Sequence, residues 1–244
     1  MNWDLRTFDV LDSTNEEAWR LADAGAPEGV AVLAKSQTAG RGRRGRSWES
    51  PEGNLFLSLL LRPAVPPAEA AKLSFLAAVA LGETIELATP GLTGRVRCKW
   101  PNDVLVDGAK VSGVLLESRT RPDGALDWVI AGIGANLVHK PIHTLYPATA
   151  LADHGDIHNP VDFAGWLLAR FGYWYARWKT DGFAPVREAW LKRAHGLGQQ
   201  IVVRLPEGEL HGRFAALDDS GALLLELPDG RRQAITAGDV FPVG

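Results

Sequence analysis

The chain has 244 residues, 46% of them hydrophobic and 23% charged, with a formal net charge of -3. That size gives one large domain, or a large and a small one, with enough apolar content for a sizeable core. A near-neutral balance argues against bulk electrostatic binding to nucleic acid, so any polyanion contact must come from a local patch. Cys98 is the only cysteine, which excludes a disulfide framework and a cysteine zinc site. The start, Met1-Asn2-Trp3-Asp4, has no basic region leading into an apolar stretch, and no window approaches 18 uninterrupted apolar residues. A soluble cytoplasmic protein without a membrane span is expected.

In chain order, Leu5–Val10 reads as a short strand. Ser13-Thr14-Asn15-Glu16 matches a capping box, with a helix to about Ala24 and Gly25 closing it. Gly29–Lys35 is an apolar strand, residues 36–53 a loop, and Asn54–Arg62 a buried strand. Pro67 to about Ala88 reads as one long alanine-rich helix. Arg95–Trp100 is a strand; Val104–Val106 and Lys110–Glu117 flank the hairpin dipeptide Asp107-Gly108. Trp128–Ile133 is a further strand, and residues 139–160 read as irregular. Asp162–Thr180 and Pro185–Ala194 read as helices, with Trp166, Phe171, Trp174 and Trp178 packing one helix face. From Gln199 the chain turns to short strands separated by turn clusters, which suggests a small β-barrel. Helices mixed with strands that follow one another directly make the main part α+β rather than a βαβ repeat.

Four segments carry chemistry. Gly40–Arg46 packs four arginines and three glycines into seven residues. Guanidinium forks suit phosphate and carboxylate, and the glycines let the backbone approach a ligand. Neither a P-loop nor a dinucleotide fingerprint is present. A phosphate-bearing small ligand, an RNA, or a plain solvated loop all fit this run by itself. Lys99-Trp100-Pro101-Asn102-Asp103 is followed across the hairpin by Lys110. If the hairpin forms, Asp103 and Lys110 face one site: the carboxylate suits Mg²⁺, and the lysine suits charge developing on a phosphate or carboxylate. A surface hairpin with a charged rim is the plainer alternative. Ser13-Thr14-Asn15 either caps a helix or offers a polar ligand site. Gly132–Asn136 is either a turn or a place of close backbone approach. Cys98 reads as a small buried hydrophobe.

Taken in order, Asp12–Asn15, Gln37 with Gly40–Arg46 and Trp48, Lys99–Asp103, Lys110–Gly113 and Gly132–Asn136 resemble the biotin protein ligases over essentially the whole chain. The resemblance implies an α+β, mixed-sheet catalytic domain related to class II aminoacyl-tRNA synthetases and lipoate ligases over residues 1–196. An SH3-like barrel would follow over 197–244. It implies that biotin and Mg²⁺-ATP give biotinyl-5′-AMP, and that a lysine of a biotin carboxyl carrier domain, by default that of acetyl-CoA carboxylase, then accepts biotin. Ser13, Thr14, Asn15 and Gln37 match positions near biotin, and Arg41, Gly42 and Arg43 match the loop over biotin and adenylate. Lys110 matches the lysine that touches the biotin carboxylate and the α-phosphate. Asn102, Asp103 and Asn136 match nucleotide-side positions, with Asp103 a candidate for holding magnesium or for positioning the incoming lysine. Lys110, Asp103 and Arg43 form the catalytic set. Arg44, Arg46 and Trp48, with Arg41, Arg43 and Lys110, complete the ATP site. Dimerisation is common in that family. The pattern begins at Leu11-Asp12, leaving no room for the winged helix-turn-helix of bifunctional members, so no DNA binding is expected. The tail, Gly238–Pro242, offers no arginine to match the family's nucleotide-contacting one. A lipoate or octanoate ligase on the same fold, or an RNA-binding module built on the arginine loop, are the competing readings.

Overall fold

The computed structural model describes residues 1–142, 144, 146–155 and 157–242. Its centre is a seven-stranded mixed sheet of β1 (Asp4–Leu11), β2 (Val30–Gln37), β3 (Leu55–Leu61), β4 (Val96–Lys99), β5 (Asp103–Val106), β6 (Ala109–Thr120) and β7 (Leu126–Ala135), in the order β1-β2-β3-β7-β6-β5-β4. Only β1 and β2 pair in parallel; the other neighbours are antiparallel. The β5–β6 turn forms at Asp107-Gly108, where φ is 49° and 81°, as an Asp-Gly hairpin of the primed type requires.

Side chains alternate across a strand, so the sheet has two unlike faces. Leu55, Leu57, Leu59 and Leu61 point into the large core, against α3 (Leu73–Ala88) and α4 (Pro160–Asp181). Leu60, Trp128 and Ile130 point to the other face, where α1 (Thr14–Asp23) lays Ala18 and Ala22 over them. The long helix expected over 67–88 is two pieces, α2 (Pro67–Ala70) and α3, broken at Ala71-Lys72. Lys72 there turns back to pair with Glu69, 2.6 Å away. On α4, Phe171, Trp174 and Trp178 are buried as expected, but Trp166 lies 39% exposed, its ring edge on His158 and Phe163. No helix among the described residues is long and apolar enough to cross a membrane.

After α5 (Ala184–Lys192) comes a five-stranded antiparallel sheet of β8 (Gln200–Leu205), β9 (Gly208–Leu217), β10 (Leu223–Glu226), β11 (Arg232–Ile235) and β12 (Asp239–Pro242), in the order β11-β10-β9-β8-β12. This is the small β domain expected at the end of the chain; among the described residues β11 and β12 do not pair, so closure into a barrel is not seen there. The strand β12 falls in the tail, beyond the last strand expected from sequence. This sheet packs on α5 through Phe214 against Trp190 (ring centroids 6.4 Å apart) and meets the turn after β4, where Trp100 Nε1 donates to Gly221 O at 3.1 Å.

Candidate active site

On the α1 face, three neighbouring strands change character along their length. The register sets Leu60, Ile130 and Glu117 in one row, Ser58, Gly132 and Leu115 in the next, and Phe56, Gly134 and Gly113 in the third. Where the side chains are large, α1 covers them. Where they shrink to glycine, a cavity of about 470 Å³ opens above the sheet. Close approach explains the glycines: a Cβ on Gly132 would lie 2.2 Å from Asn15 Oδ1, and one on Gly134 would lie 2.5 Å from the Trp48 ring.

One end of the cavity is polar and buried. Ser13 caps α1, its hydroxyl accepting from Asn15 N at 3.3 Å. The expected capping box does not form, because Glu16 turns its carboxylate to Arg41, 2.5 Å away, and Ser13 N donates instead to Asp12 Oδ1. Ser13, Thr14 and Asn15 are 4–5% exposed. Gln37 is oriented by its neighbours: Oε1 accepts from Thr14 N at 2.7 Å, and Nε2 donates to Ser50 Oγ at 2.9 Å. Ser50 Oγ in turn donates to Trp48 O at 2.8 Å. The start of α1 and the stem of the arginine loop are thus one hydrogen-bonded unit.

The other end is cationic. The loop closes on itself, with Gly42 N donating to Arg46 O at 2.7 Å and Trp48 N to Gly40 O at 2.9 Å. A tight turn at Arg44 (φ 57°) and Gly45 (φ 71°) sends its arginines to different partners. Arg41 pairs with Glu16 and, at 3.4 Å, with Glu117. Arg43 donates to Asn102 Oδ1 at 3.0 Å, and burial pushes its guanidinium below the ordinary value. Arg44 and Arg46 both pair with Asp239 of β12, at 3.2 and 3.1 Å. Across the hairpin, Lys110 Nζ meets Asp103 Oδ1 at 2.6 Å, so the two do face one site. The Trp48 ring lies beside them, 5.4 Å from Lys110 Nζ to its centroid, and its buried Nε1 has no hydrogen-bond partner among the described residues. Asn136 lines the wall with its side-chain amide donating to Thr149 O at 3.0 Å.

Every residue assigned to the site from sequence lines this one cavity except Arg44, whose side chain runs to Asp239. Sequence reasoning missed Lys99, which also lines it. Burial lowers the Lys99 ammonium from its ordinary value, and it rests over the rings of Tyr146 and Phe241, 4.8 and 5.3 Å from their centroids. It sits within the very run that was singled out, so the signal was at hand. Asp239 has no sequence signal: the tail supplies a carboxylate where the resemblance implies an arginine. Glu117 and Ser58 carried no sequence signal beyond their place in strands. Cys98 is buried, and burial pushes its thiol up to about 12, as suits a packing residue.

Among the described residues no three His, Cys, Asp or Glu side chains gather to hold a metal. Asp103 is the carboxylate beside Lys110, on the hairpin wall. That donor set suits Mg²⁺, which keeps most of its waters and is commonly shared between one or two carboxylates and nucleotide phosphates.

The mixed-sheet fold thus carries one cavity that joins a neutral polar end to a cationic loop. The profile of the Biotin/lipoate A/B protein ligase family matches residues 7–136, and that of the Biotin protein ligase C terminal domain matches residues 196–241. The chain belongs to the Biotin/lipoate A/B protein ligase family. It is 45% identical to the Biotin--[acetyl-CoA-carboxylase] ligase of Paracoccus denitrificans, over 94% of this chain and 97% of that protein. It is 38% identical to the Bifunctional ligase/repressor BirA of Bacillus subtilis (strain 168), over 97% of this chain and 74% of that protein. Its fold matches the biotin protein ligase of Aquifex aeolicus in complex with biotin and ATP, with a TM-score of 0.81, 29% identity and 97% of each chain covered.

Proposed function

We propose that the chain is a biotin protein ligase that activates biotin with ATP and transfers it to a lysine of a carrier domain. The observation that carries this is the single cavity in which a buried polar end adjoins the Lys110–Asp103 pair and the arginine loop. Biotin's neutral ureido head both donates and accepts, and Ser13, Thr14, Asn15 and Gln37 supply the partners; each buried group left unpaired would cost about 1–3 kcal/mol. The valeryl carboxylate then extends along the glycine floor toward Lys110.

In the first step a biotin carboxylate oxygen attacks the α-phosphorus of ATP. The bond from that phosphorus to the β-phosphate oxygen breaks, and pyrophosphate leaves. Lys110, held by Asp103, lies between two anions that repel each other and keeps them in attack geometry. Arg43 and Arg41 neutralise the acyl phosphate, and the loop excludes water from a hydrolysable anhydride. Arg44 and Arg46 serve the outgoing phosphates, Trp48 the adenine, and Asn102 and Asn136 the nucleotide side. Asp103 would hold a magnesium ion, which when bound neutralises phosphate charge. In the second step the neutral ε-amine of the acceptor lysine attacks the acyl carbon, the bond to the adenylate oxygen breaks, AMP leaves, and a proton is lost from nitrogen. The acceptor we propose is the biotin carboxyl carrier domain of acetyl-CoA carboxylase.

ATP–pyrophosphate exchange, run with biotin, with lipoate and with neither, tests this reading. Exchange with biotin alone is expected. Exchange with lipoate but not biotin would overturn it.

A further inference from the structure

Beneath the polar end of the cavity runs a chain of hydrogen bonds whose direction is set at one terminus. Glu117 Oε2 accepts from Asn15 Nδ2 at 2.7 Å. A carboxylate can only accept, so it fixes which end of the Asn15 amide faces β6 and turns Oδ1 toward β3. There Ser58, fully buried, places Oγ 2.5 Å from Asn15 Oδ1 and 2.7 Å from Thr14 Oγ1. One hydroxyl has one proton. The amide oxygen cannot donate, so the proton goes to Asn15 and Ser58 meets Thr14 as an acceptor. The Thr14 proton is then spent inside the protein, on Ser58, which leaves only lone pairs toward Gln37 Oε1 and the cavity. What Thr14 has left for a ligand is lone pairs.

We propose that Glu117 and Ser58 are positioning residues that set the hydrogen-bond polarity of this end, so that Thr14 meets the ligand as an acceptor and the site selects a ring N–H donor; this rests on the biotin reading above. Neither needs to touch the ligand. The carboxylate acts through Asn15 and Ser58, and its charge is not required to hold Arg41, which keeps Glu16.

The test compares biotin with an analogue whose cyclic urea is a cyclic carbamate, with ring oxygen in place of one N–H. Both are run in ATP–pyrophosphate exchange by the wild type, Glu117→Gln and Ser58→Ala. A site built around an N–H donor should favour the urea in the wild type by about 100-fold or more. In Glu117→Gln the new amide also accepts Asn15 flipped. The biotin KM should rise about tenfold, with kcat and the ATP KM unchanged, and the urea preference should fall by a similar factor. Ser58→Ala should narrow the preference in the same direction. An unchanged preference in both variants, with the wild type active, would overturn the inference alone. A preference that holds while both KM values rise and the melting temperature falls would reduce Glu117 to a structural part and also overturn it. A wild type with no biotin-dependent exchange would overturn the function on which the inference stands, and the inference with it.

Discussion

The two ends of the cavity are built on opposite principles. At the α1 end the side chains of Thr14, Asn15 and Ser58 are buried and that of Gln37 is half-buried, each aimed by a neighbour on the sheet or in the loop stem. At the loop end, cations are held by half-buried carboxylates on two other elements, Glu16 on α1 and Asp239 on β12, with Glu117, which serves the polar end, only a longer contact of Arg41 at 3.4 Å. Buried hydrogen bonds hold direction because breaking one leaves an unsatisfied group, whereas exposed ion pairs are worth about 0–1 kcal/mol and exchange readily. On the reading proposed above, the first end recognises a neutral ring by the orientation of its donors and acceptors. On the same reading, the second exchanges internal anions for those of a ligand.

The largest effect should come where the two ends meet. Lys110→Ala removes the cation assigned to both the carboxylate and the α-phosphate. Two charge-assisted contacts at about 1.5–3 kcal/mol each predict single-turnover adenylation slower by about a hundredfold to ten-thousandfold in a folded protein. A near-normal rate would sink that role. Arg43→Gly should come next. It loses one such contact, so the adenylate should dissociate about 10- to 100-fold faster; an unchanged dissociation rate in a chase experiment would contradict this. Gly132→Ala probes the rigid end. Its methyl would collide with Asn15, and overpacking costs about 1–3 kcal/mol. The biotin KM should rise roughly tenfold while the ATP KM stays put, and equal rises in both would erase the distinction between the ends. The smallest effect belongs to Asp239→Asn. It frees Arg44 and Arg46 from a partly exposed pair, so ATP should bind at most about fivefold tighter at low salt, with the gain shrinking as salt rises. Weaker ATP binding would mean that Asp239 serves the nucleotide directly.

The strands and most helices were legible because their apolar periods and punctuation agree: Gly25, for example, closes α1 in a left-handed turn at φ 83°, as its place in the sequence indicates. The site residues were legible through the order of four short motifs, each weak alone. What was not legible depended on long-range packing. The break in the α2–α3 segment leaves Ala71 and Lys72 looking like good helix formers, and only Lys72 returning to Glu69 marks it. The capping box failed because a distant arginine competed for Glu16. Asp239 lies 193 positions from Arg46, and no local pattern joins them. Glu117 and Ser58 look like ordinary strand residues until the register puts them under Asn15.

Trp48 has a consequence of its own. Its indole lies against the bare backbone of Gly134 with the Lys110 ammonium beside it and its N–H unpaired among the described residues. An indole so placed is an optical probe of the cavity, because its emission responds to nearby charge, to stacking and to access of water. A ligand that stacks on this ring or shifts it changes all three at once. The chain carries nine tryptophans, and this is the one whose ring lines the cavity beside a site cation. The emission that Trp48→Phe removes is therefore the part of the spectrum that comes from inside the site beside Lys110.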